Sequence, residues 1–497
     1  MTTTPSKKPS RLGPYKPTLI LHGGAGSISR SNLPPEVYAR YHASLLKYLT
    51  ETRKFLESGA SALDAACHAV TLFEDDPLFN CGRGAVFTER GTIEMEASVM
   101  VCSLNPAGPP AGGIKRGAAV SLVRNTRHPI LLAKEVLVAA DEDGGMGGTS
   151  TTHCHLSGRE VEEWGWKERD LEKKPDSWFW TKKRWEEHRR GLHQSGSYSF
   201  NDLLRFANPL SLPSAGGDVD MDVHETPSQG TVGAVCLDSW GNLAVATSTG
   251  GLTNKKAGRI GDTPTIGAGF WAEAWDENIQ DSAGILERSC PSGPSMLKSK
   301  PLFDQVWTRA CGLIGSSLDP FEPECRSREE DEAPPAYAAT PTLKLHRPPV
   351  PLLRKRRRAV AMSGTGNGDS FLRTNAVRTA ASICRLSSST SLAGAITAIA
   401  GPNGELQRSA AERWGRTGEG QGGIIGIEVI DDHAEMIDHQ MRTDLKAVNA
   451  HAFQNNTKTM GTPVFDFNCG GMFRAYYEVD GERGGEKAKI MVFKDEY

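Results

Sequence analysis

Two threonines are the residues best placed to do chemistry, because the sequence predicts that they meet at one end of a strand pair. Two short apolar stretches flank a turn at Trp240, and Gly241 occupies the left-handed position that a three-residue hairpin loop favours. A turn centred on Trp240 sets the register of the pair. Counting outward from it places Thr231 opposite Thr249, with Cβ atoms about 5 Å apart.

The dipeptide Gly230-Thr231 has the residue types needed for self-cleavage. If the bond before Thr231 is cut, the threonine gains an α-amine with a pKa of about 7.7 to 8.0 beside its own hydroxyl. That amine can take the hydroxyl proton during attack on a carbonyl group. Gly230 tolerates the backbone strain that cleavage requires. A Gly-Thr dipeptide by itself is more often a simple turn, so the hypothesis depends on the surrounding residues.

Arg259 and Asp262 form a second candidate constellation, which we call the substrate clamp. The guanidinium fork of Arg259 suits a carboxylate, and the Asp262 carboxylate accepts hydrogen bonds from an ammonium group. Their spacing allows both side chains to face one pocket around Gly261, where they would hold the two charged ends of an amino acid. The alternative for such a pair, taken alone, is a surface ion pair in a glycine-rich loop.

Several motifs at matching spacings resemble the plant-type asparaginase and isoaspartyl peptidase family of N-terminal nucleophile hydrolases. They are HGGAG from residue 22, NCGRGAVFTERGTIEMEASVM from residue 80, GTVGAV from residue 230, TSTGG from residue 247, GRIGD from residue 258 and SGTGNGD from residue 363. Two long segments of the chain lie outside this resemblance.

The resemblance implies a role for each site residue. Thr231 is the nucleophile and Thr249 supports it, while Arg259 and Asp262 hold the α-carboxylate and the α-amine of an aspartyl substrate. The other residues implied at the site are Thr365 and Gly366 on the oxyanion side, Gly261 in the substrate-binding loop, and Asn80, which we expect to help position the substrate. A structural sodium ion held by backbone carbonyls in the loop near Asn80 is also implied, whereas no metal or cofactor is expected in the chemistry.

The activity implied is that of a threonine hydrolase that splits into an α chain ending at Gly230 and a β chain starting at Thr231. It would hydrolyse β-aspartyl amides such as asparagine and isoaspartyl dipeptides, as an assembly of two α and two β chains. Three alternatives stay open: a taspase-like threonine endopeptidase, a glycosylasparaginase, and an uncleaved, non-catalytic interaction protein. Asp262 argues against the endopeptidase, because an aspartate inside a protein chain has no free amine to bind.

The elements predicted around these residues favour an α/β fold. They are a strand at 18–21, helices at 34–56 and 61–73, a strand at 118–123 and a helix from 129, strands at 359–362, helices at 370–386 and 391–399, a closing hairpin at 422–429 and 433–438, and strands at 472–479 and 489–492. Because the strands are apolar on both faces, this order favours a four-layer αββα sandwich, which is also the fold that the family resemblance implies.

The motifs divide the chain into six segments. They are a disordered tail at 1–16, the first half of the catalytic domain at 17–140, a helical and linker segment at 141–230, the nucleophile and clamp strands at 231–275, a low-complexity insertion at 276–358, and the second half of the catalytic domain at 359–497.

Composition narrows the function classes. A net charge of -3 provides no overall field for nucleic acid or an anionic membrane, so a small molecule or dipeptide is the expected substrate. The ten cysteines include no CxxC pair, which favours reduced thiols in the cytoplasm. No apolar run reaches the ~20 residues of a membrane span, and the first residues lack a signal-peptide core. The basic run from Arg354 to Arg358 leaves a nuclear address open.

Overall fold

The computed structural model describes residues 13–105, 116–139, 153–193, 230–279, 354–387, 389–432, 459–479 and 485–497. The chain divides into two compact units, Met1–Asn278 with Lys355–Tyr497, and Ile279–Arg354. All described residues except Ile279 and Arg354 belong to the first unit. Most of the predicted tail, the linker before Gly230 and nearly all of the predicted insertion lie outside the described residues.

The described helices mostly follow the predicted amphipathic patterns. They are α1 Pro35–Glu57, α2 Ala62–Asp75, α3 Pro129–Ala139, α4 Arg159–Glu168, α5 Asp176–Phe179, α6 Lys182–His193, α7 Gly368–Thr374, α8 Ala376–Leu386, α9 Leu392–Ala400 and α10 Glu405–Ser409. The start of α2 has the predicted cap, because the Asp64 amide donates to Ser61 Oγ at 3.1 Å.

The described strands form one large sheet, one smaller sheet and one short pair. They are β1 Tyr15–Lys16, β2 Thr18–Gly26, β3 Met95–Ser103, β4 Arg116–Val123, β5 His155–Ser157, β6 Val232–Leu237, β7 Asn242–Thr249, β8 Phe270–Ile279, β9 Arg354–Gly366, β10 Gly422–Asp431, β11 Thr459–Met460, β12 Thr462–Phe467, β13 Gly471–Val479 and β14 Glu486–Met491. The large sheet has the order β14-β13-β2-β6-β7-β3-β4-β5, the smaller sheet has the order β12-β10-β9-β8, and β1 pairs with β11.

The two faces of the large sheet contribute to different hydrophobic cores. On one face, Leu45 of α1, Val70 of α2 and Leu132 of α3 pack with inward-facing residues of β2, β3, β6 and β7. The second core joins Val235 of the large sheet to Met362 of the smaller sheet and to residues of α8 and α9. The architecture is mixed α/β, and it brings the motif-bearing strands β2, β6, β7 and β9 together between these cores.

Three predicted elements differ from the observed ones. The predicted helix 370–386 is two helices, because Asn375 adopts a left-handed φ of 45° that ends α7. The strand predicted at 359–362 begins earlier, at Arg354, and β8 extends to Ile279, so both strands enter the segment predicted as an insertion. The predicted hairpin partner 433–438 lies outside the described residues, and β10 pairs with β9 and β12.

Three arginines of the basic run at the start of β9 form ion pairs within the fold. Arg356 pairs with Glu277 at 2.6 Å and Arg357 with Asp276 at 2.8 Å, while Arg358 contacts Glu277 and Glu428. These arginines therefore hold β8, β9 and β10 together, which is a structural use for three of the charges that suggested a nuclear address.

No helix within the described ranges is long and apolar enough to cross a membrane.

Candidate active site

The β6–β7 hairpin has the register that the turn at Trp240 predicts. Paired residues run from Leu237 with Leu243 to Val232 with Ser248 without a bulge. Gly241 has the left-handed φ of 86° expected in the loop. One further step along this register places Thr231 opposite Thr249, so the two predicted hydroxyl groups are at the same end of the hairpin.

The hydroxyl of Thr231 lies in a buried polar cluster. Its Oγ1 is 2.8 Å from Thr263 Oγ1, and both residues are buried. The Thr263 carbonyl accepts a hydrogen bond of 2.6 Å from Ser98 Oγ, which fixes the Thr263 backbone. Thr249 Oγ1 accepts from the Gly251 amide at 3.0 Å. Thr263 therefore contacts the proposed nucleophile directly, whereas Thr249 has its own backbone partner.

The residue before Thr231 contacts the predicted oxyanion side. A Cβ atom built on Gly230 would lie 2.6 Å from Thr365 Oγ1 and 3.1 Å from the Gly366 nitrogen. Only glycine leaves room at this point. The Ala25 amide donates to Thr365 Oγ1 at 3.2 Å, so the hydroxyl proton of Thr365 is available for another acceptor. Strands β2 and β9 thus bring the Thr365 hydroxyl and the Gly366 amide to the Gly230-Thr231 bond.

The ends of Arg259 and Asp262 come together beside Gly368. A Cβ atom built on Gly368 would lie 2.5 Å from Asp262 Oδ1 and 2.9 Å from Arg259 Nη2. Arg259 Nη2 also donates to Asp369 Oδ1 at 2.9 Å, and Asp369 is exposed. This geometry puts the Arg259 guanidinium and the Asp262 carboxyl group next to Gly368, which has no side chain. It agrees with the prediction from the sequence that both groups face one pocket.

Asp262 is a buried carboxylate that lacks a full set of partners. Its Oδ2 atom has no hydrogen-bond partner among the described residues. Burial raises the pKa of Asp262 to about 7, although the nearby Arg259 guanidinium acts in the opposite direction. A buried carboxylate oxygen without a donor is well suited to receive the ammonium group of a ligand.

Glu96 supports the loop that carries this pair. Its Oε1 accepts a hydrogen bond of 2.8 Å from the Gly261 amide, and Glu96 lies opposite Thr249 in the pairing of β3 with β7. Burial raises the pKa of Glu96, and the nearby Lys255 ammonium acts in the opposite direction. A Cβ atom on Gly261 would lie 2.7 Å from Arg259 Nη1, so the Arg259 side chain crosses directly over this glycine.

Asn80 uses its side chain to join two loops. Its Nδ2 donates to the Gly251 carbonyl at 2.7 Å, and its Oδ1 accepts from the Val86 amide at 3.1 Å. The Gly250 amide donates to the Asn80 carbonyl at 2.8 Å. These contacts hold the turn after Thr249 in place, so Asn80 affects the site through the backbone of its neighbours.

His22 lies between the large sheet and the smaller sheet. Its Nε2 lies 2.6 Å from Ser363 Oγ, two residues before Thr365 on the same face of β9. Complete burial lowers the pKa of His22 to about 3, so the ring is neutral. The His22–Ser363 contact and the Ala25–Thr365 contact together fasten the HGGAG segment to β9.

Thr263 and Glu96 are the residues that sequence reasoning missed. Thr263 directly follows the GRIGD motif, and Glu96 lies within the motif that begins at Asn80. Their positions inside or beside motifs were the available signal, but the contacts with Thr231 and Gly261 arise between distant segments. In the described ranges, no cluster of three or more His, Cys, Asp or Glu side chains is arranged to hold a metal ion.

The chain is similar in sequence to a family of known proteins. The model of the family described as asparaginase matches residues 15–276. A putative isoaspartyl peptidase/L-asparaginase from Dictyostelium discoideum is 36% identical over 299 residues, which cover 58% of this chain and 78% of that protein. An isoaspartyl peptidase from Salmonella typhimurium is 37% identical, with 52% and 70% covered. An isoaspartyl peptidase/L-asparaginase from Rattus norvegicus is 34% identical, with 51% and 62% covered.

Proposed function

This chain belongs to the asparaginase family, and we propose that it cleaves itself before Thr231 and then hydrolyses β-aspartyl amide bonds. Its substrates are asparagine, which yields aspartate and ammonia, and isoaspartyl dipeptides. The observation that carries this proposal is the meeting of Arg259 and Asp262 at Gly368, with the buried Asp262 Oδ2 unpartnered within the described structure. This pair matches the α-carboxylate and α-ammonium that both substrates present.

Self-cleavage begins with attack of Thr231 Oγ1 on the carbonyl carbon of Gly230. The tetrahedral adduct expels the Thr231 nitrogen, which takes up the proton lost from the hydroxyl, and an ester remains between Gly230 and the threonine oxygen. Water hydrolyses this ester and releases the Gly230 carboxylate, the free α-amine and the hydroxyl. The proposed donors to the oxyanion are the Thr365 hydroxyl and the Gly366 amide, which lie beside Gly230.

In turnover, the new α-amine of Thr231 accepts the hydroxyl proton while Oγ1 attacks the β-amide carbon of the substrate. The proton then passes to the leaving nitrogen, which departs as ammonia or as the amine of the second residue. Water hydrolyses the resulting aspartyl ester, and aspartate is released with a new β-carboxylate. Thr263 holds Oγ1 before attack, and we propose that Thr249 supports the nucleophile from the paired strand.

The test starts with the chain itself. We expect the purified protein to run as two fragments joined without a disulfide, with a new N-terminus at Thr231. Thr231→Ala should give one intact chain by mass spectrometry, whereas Thr231→Ser, which keeps a hydroxyl, should still cleave. If no new end at Thr231 appeared after prolonged incubation, the proposed nucleophile would be lost, because an internal threonine lacks the amine base.

The second part of the test separates the candidate activities by kcat/KM. Wild-type protein should hydrolyse asparagine and a β-aspartyl dipeptide but not a blocked peptide with an internal aspartate. Arg259→Lys should lose about thirtyfold to several thousandfold on the first two substrates, since one ammonium cannot replace a two-pronged contact and losing a desolvated charge partner costs about 2 to 5 kcal/mol. Efficient cutting of the blocked peptide, unaffected by this substitution, would favour the endopeptidase.

The proposal extends to the fold, a structural ion, the compartment and the assembly. The two cores and the helices that flank them support a four-layer αββα sandwich. A structural sodium ion held by backbone carbonyls in the loop near Asn80 is proposed from the family resemblance alone. Such an ion would supply rigidity to the loop and no chemistry. The cysteines in the described ranges are all unpaired, which supports a cytoplasmic location for the protein. A dimer of precursors that gives two α and two β chains is proposed from the family resemblance alone.

A further inference from the structure

Helix α6 belongs to the segment 141–230, in which sequence motifs are lacking, yet two of its polar side chains are buried. Arg184 is 2% exposed and His188 is 4% exposed. Most arginines stay at the surface, and burying a guanidinium is costly unless it is well paired. Each of these two side chains contacts a loop next to the proposed active site, so the helix is docked at two points.

Arg184 binds the loop that follows Asn80. Its Nε donates to the Gly84 carbonyl at 2.8 Å, and its Nη1 pairs with Glu187 of the same helix at 2.9 Å. Gly84 ends the short 3₁₀ turn Gly82–Gly84, four residues after Asn80. The Asn80 side chain in turn holds Gly251 and Val86. The first contact of α6 therefore secures the loop that holds the turn after Thr249.

His188 binds the loop that leads to the substrate clamp. Its Nδ1 lies 2.5 Å from Asn254 Oδ1, and Asn254 Nδ2 donates back to the His188 carbonyl at 3.2 Å. Asn254 has a left-handed φ of 56°, which is the kind of backbone conformation that asparagine tolerates. The Asn254 backbone amide also donates to the Phe87 carbonyl at 2.8 Å, and the Phe87 ring packs against Trp185 of α6.

The loop held in this way continues directly into the clamp. Lys255 follows Asn254, is buried, and donates from Nζ to the Glu94 carbonyl at 2.7 Å. Arg259 comes four residues later. A displacement of Asn254 would therefore pass along a short stretch of backbone to the guanidinium that is proposed to bind the substrate carboxylate.

We propose that α6 is a positioning element for the substrate clamp, and that His188 acts through Asn254 to hold the loop 252–258 in its binding-competent conformation. This inference rests on the proposed function for its kinetic consequence, but the contact itself can be tested without any substrate. His188 touches neither Thr231 nor the Gly230 bond, so its loss should weaken substrate binding and leave self-cleavage and the chemical step unchanged.

The experiment compares His188→Ala with His188→Asn and with Arg189→Ala, a matched control exposed on the same helix. His188→Ala should raise KM for asparagine by about threefold to tenfold, the loss expected for one net hydrogen bond, with kcat within about twofold and complete self-cleavage. His188→Asn, whose side-chain amide can donate near the Nδ1 position, should recover most of this loss. Arg189→Ala should match the wild type.

A second variant removes the other half of the contact. Asn254→Gly keeps a backbone that accepts positive φ and removes both side-chain hydrogen bonds to His188. If the two residues act as one unit, the double variant should have the same KM as the more affected single variant. Independent, additive effects in this cycle would overturn the proposal.

Hydrogen exchange separates this inference from the proposed function. Amides in 252–258 should exchange faster in His188→Ala than in Arg189→Ala, whatever the substrate. If wild-type protein were inactive on asparagine and β-aspartyl dipeptides but His188→Ala still showed faster exchange in 252–258, the proposed function would fail and the positioning contact would stand. Unchanged exchange together with unchanged KM in an active, folded His188→Ala protein would disprove the role of α6.

Discussion

At the scale of single residues, the burial of Asp262 determines the pH range in which its carboxyl group is charged. Burial raises the pKa of Asp262 to about 7, while Arg259 partly offsets the effect of burial. Only the ionised carboxylate attracts a substrate ammonium. Productive binding should therefore improve as pH rises through 7. The α-amine that self-cleavage would free at Thr231 becomes a base in nearly the same range, because a free α-amine ordinarily has a pKa of about 7.7 to 8.0.

This coupling predicts a steep acid limb in the pH profile of kcat/KM for asparagine. Because two groups must lose a proton in the free enzyme, the wild-type value should fall by about a hundredfold per pH unit well below pH 7. Asp262→Asn should lower the whole profile by about thirtyfold or more and leave a limb of about tenfold per unit. The same limb slope in both proteins would mean that Asp262 does not titrate in this range.

Thr263 shows how the environment of one side chain can define another. The Thr263 Oγ1 atom lies 2.8 Å from Thr231 Oγ1. A hydrogen bond from Ser98 Oγ to the Thr263 carbonyl limits the movement of Thr263. The proposed nucleophile is therefore in contact with a residue adjacent to Asp262. One loop thus contributes both the carboxyl group proposed to bind the substrate and a contact to Thr231 Oγ1.

At the scale of elements, β3 connects the hairpin to the clamp loop. Glu96 lies opposite Thr249 on β7 and accepts the Gly261 amide at 2.8 Å, so the strand fixes the hairpin relative to the loop that holds Arg259. The contact requires an acceptor at the Oε1 position. A neutral carbonyl oxygen can accept the same hydrogen bond as a carboxylate oxygen. Burial also raises the pKa of Glu96, which acts against its ionised form.

Two substitutions at this position should therefore differ. Glu96→Gln keeps a carbonyl acceptor for Gly261 and should keep KM for asparagine within about threefold of the wild type. Glu96→Ala leaves the amide without its partner and opens a cavity, so KM should rise by about tenfold or more. Steady-state kinetics of the two folded proteins makes the comparison, and an equal loss in both would show that the charge is the important property.

At the scale of the whole molecule, the segment predicted as a low-complexity insertion lies between two neighbouring strands. β8 ends at Ile279 and β9 begins at Arg354, and the strands are adjacent in the smaller sheet. The Gly364 amide donates to the Gly269 carbonyl at 2.8 Å, and Arg356 contacts Glu277 at the other end. The strands therefore run antiparallel, and the two ends of the connection are close enough for a short loop.

Replacing residues 280–353 with a short glycine and serine loop should leave the catalytic unit intact. This segment is rich in proline, serine and charged residues. A twofold change in the length of a connection changes the cost of closing it by only about 0.6 kcal/mol. Self-cleavage should be complete, and kcat/KM for asparagine should stay within about threefold. Loss of soluble, folded protein would show that the segment is a structural element.

The sequence alone determined the local features of the site. The turn at Trp240 set the Thr231–Thr249 register, because a strand pair joined by a tight loop leaves only one alignment for its apolar positions. The helix bounds near Pro35 and Ser61 followed from proline and capping chemistry within a few residues. Such features depend on neighbours in the chain, so the residue types are enough to predict them.

Only the tertiary structure decided which distant groups meet. Thr263 reaches Thr231, Glu96 reaches Gly261, and α6 reaches two loops from a segment without motifs, since each contact depends on how separate elements pack. The basic run 354–358 was ambiguous for the same reason: its pairing with Glu277 and Glu428 exists only when β8, β9 and β10 lie side by side. Packing brings together groups far apart in the chain, and sequence spacing carries no record of those distances.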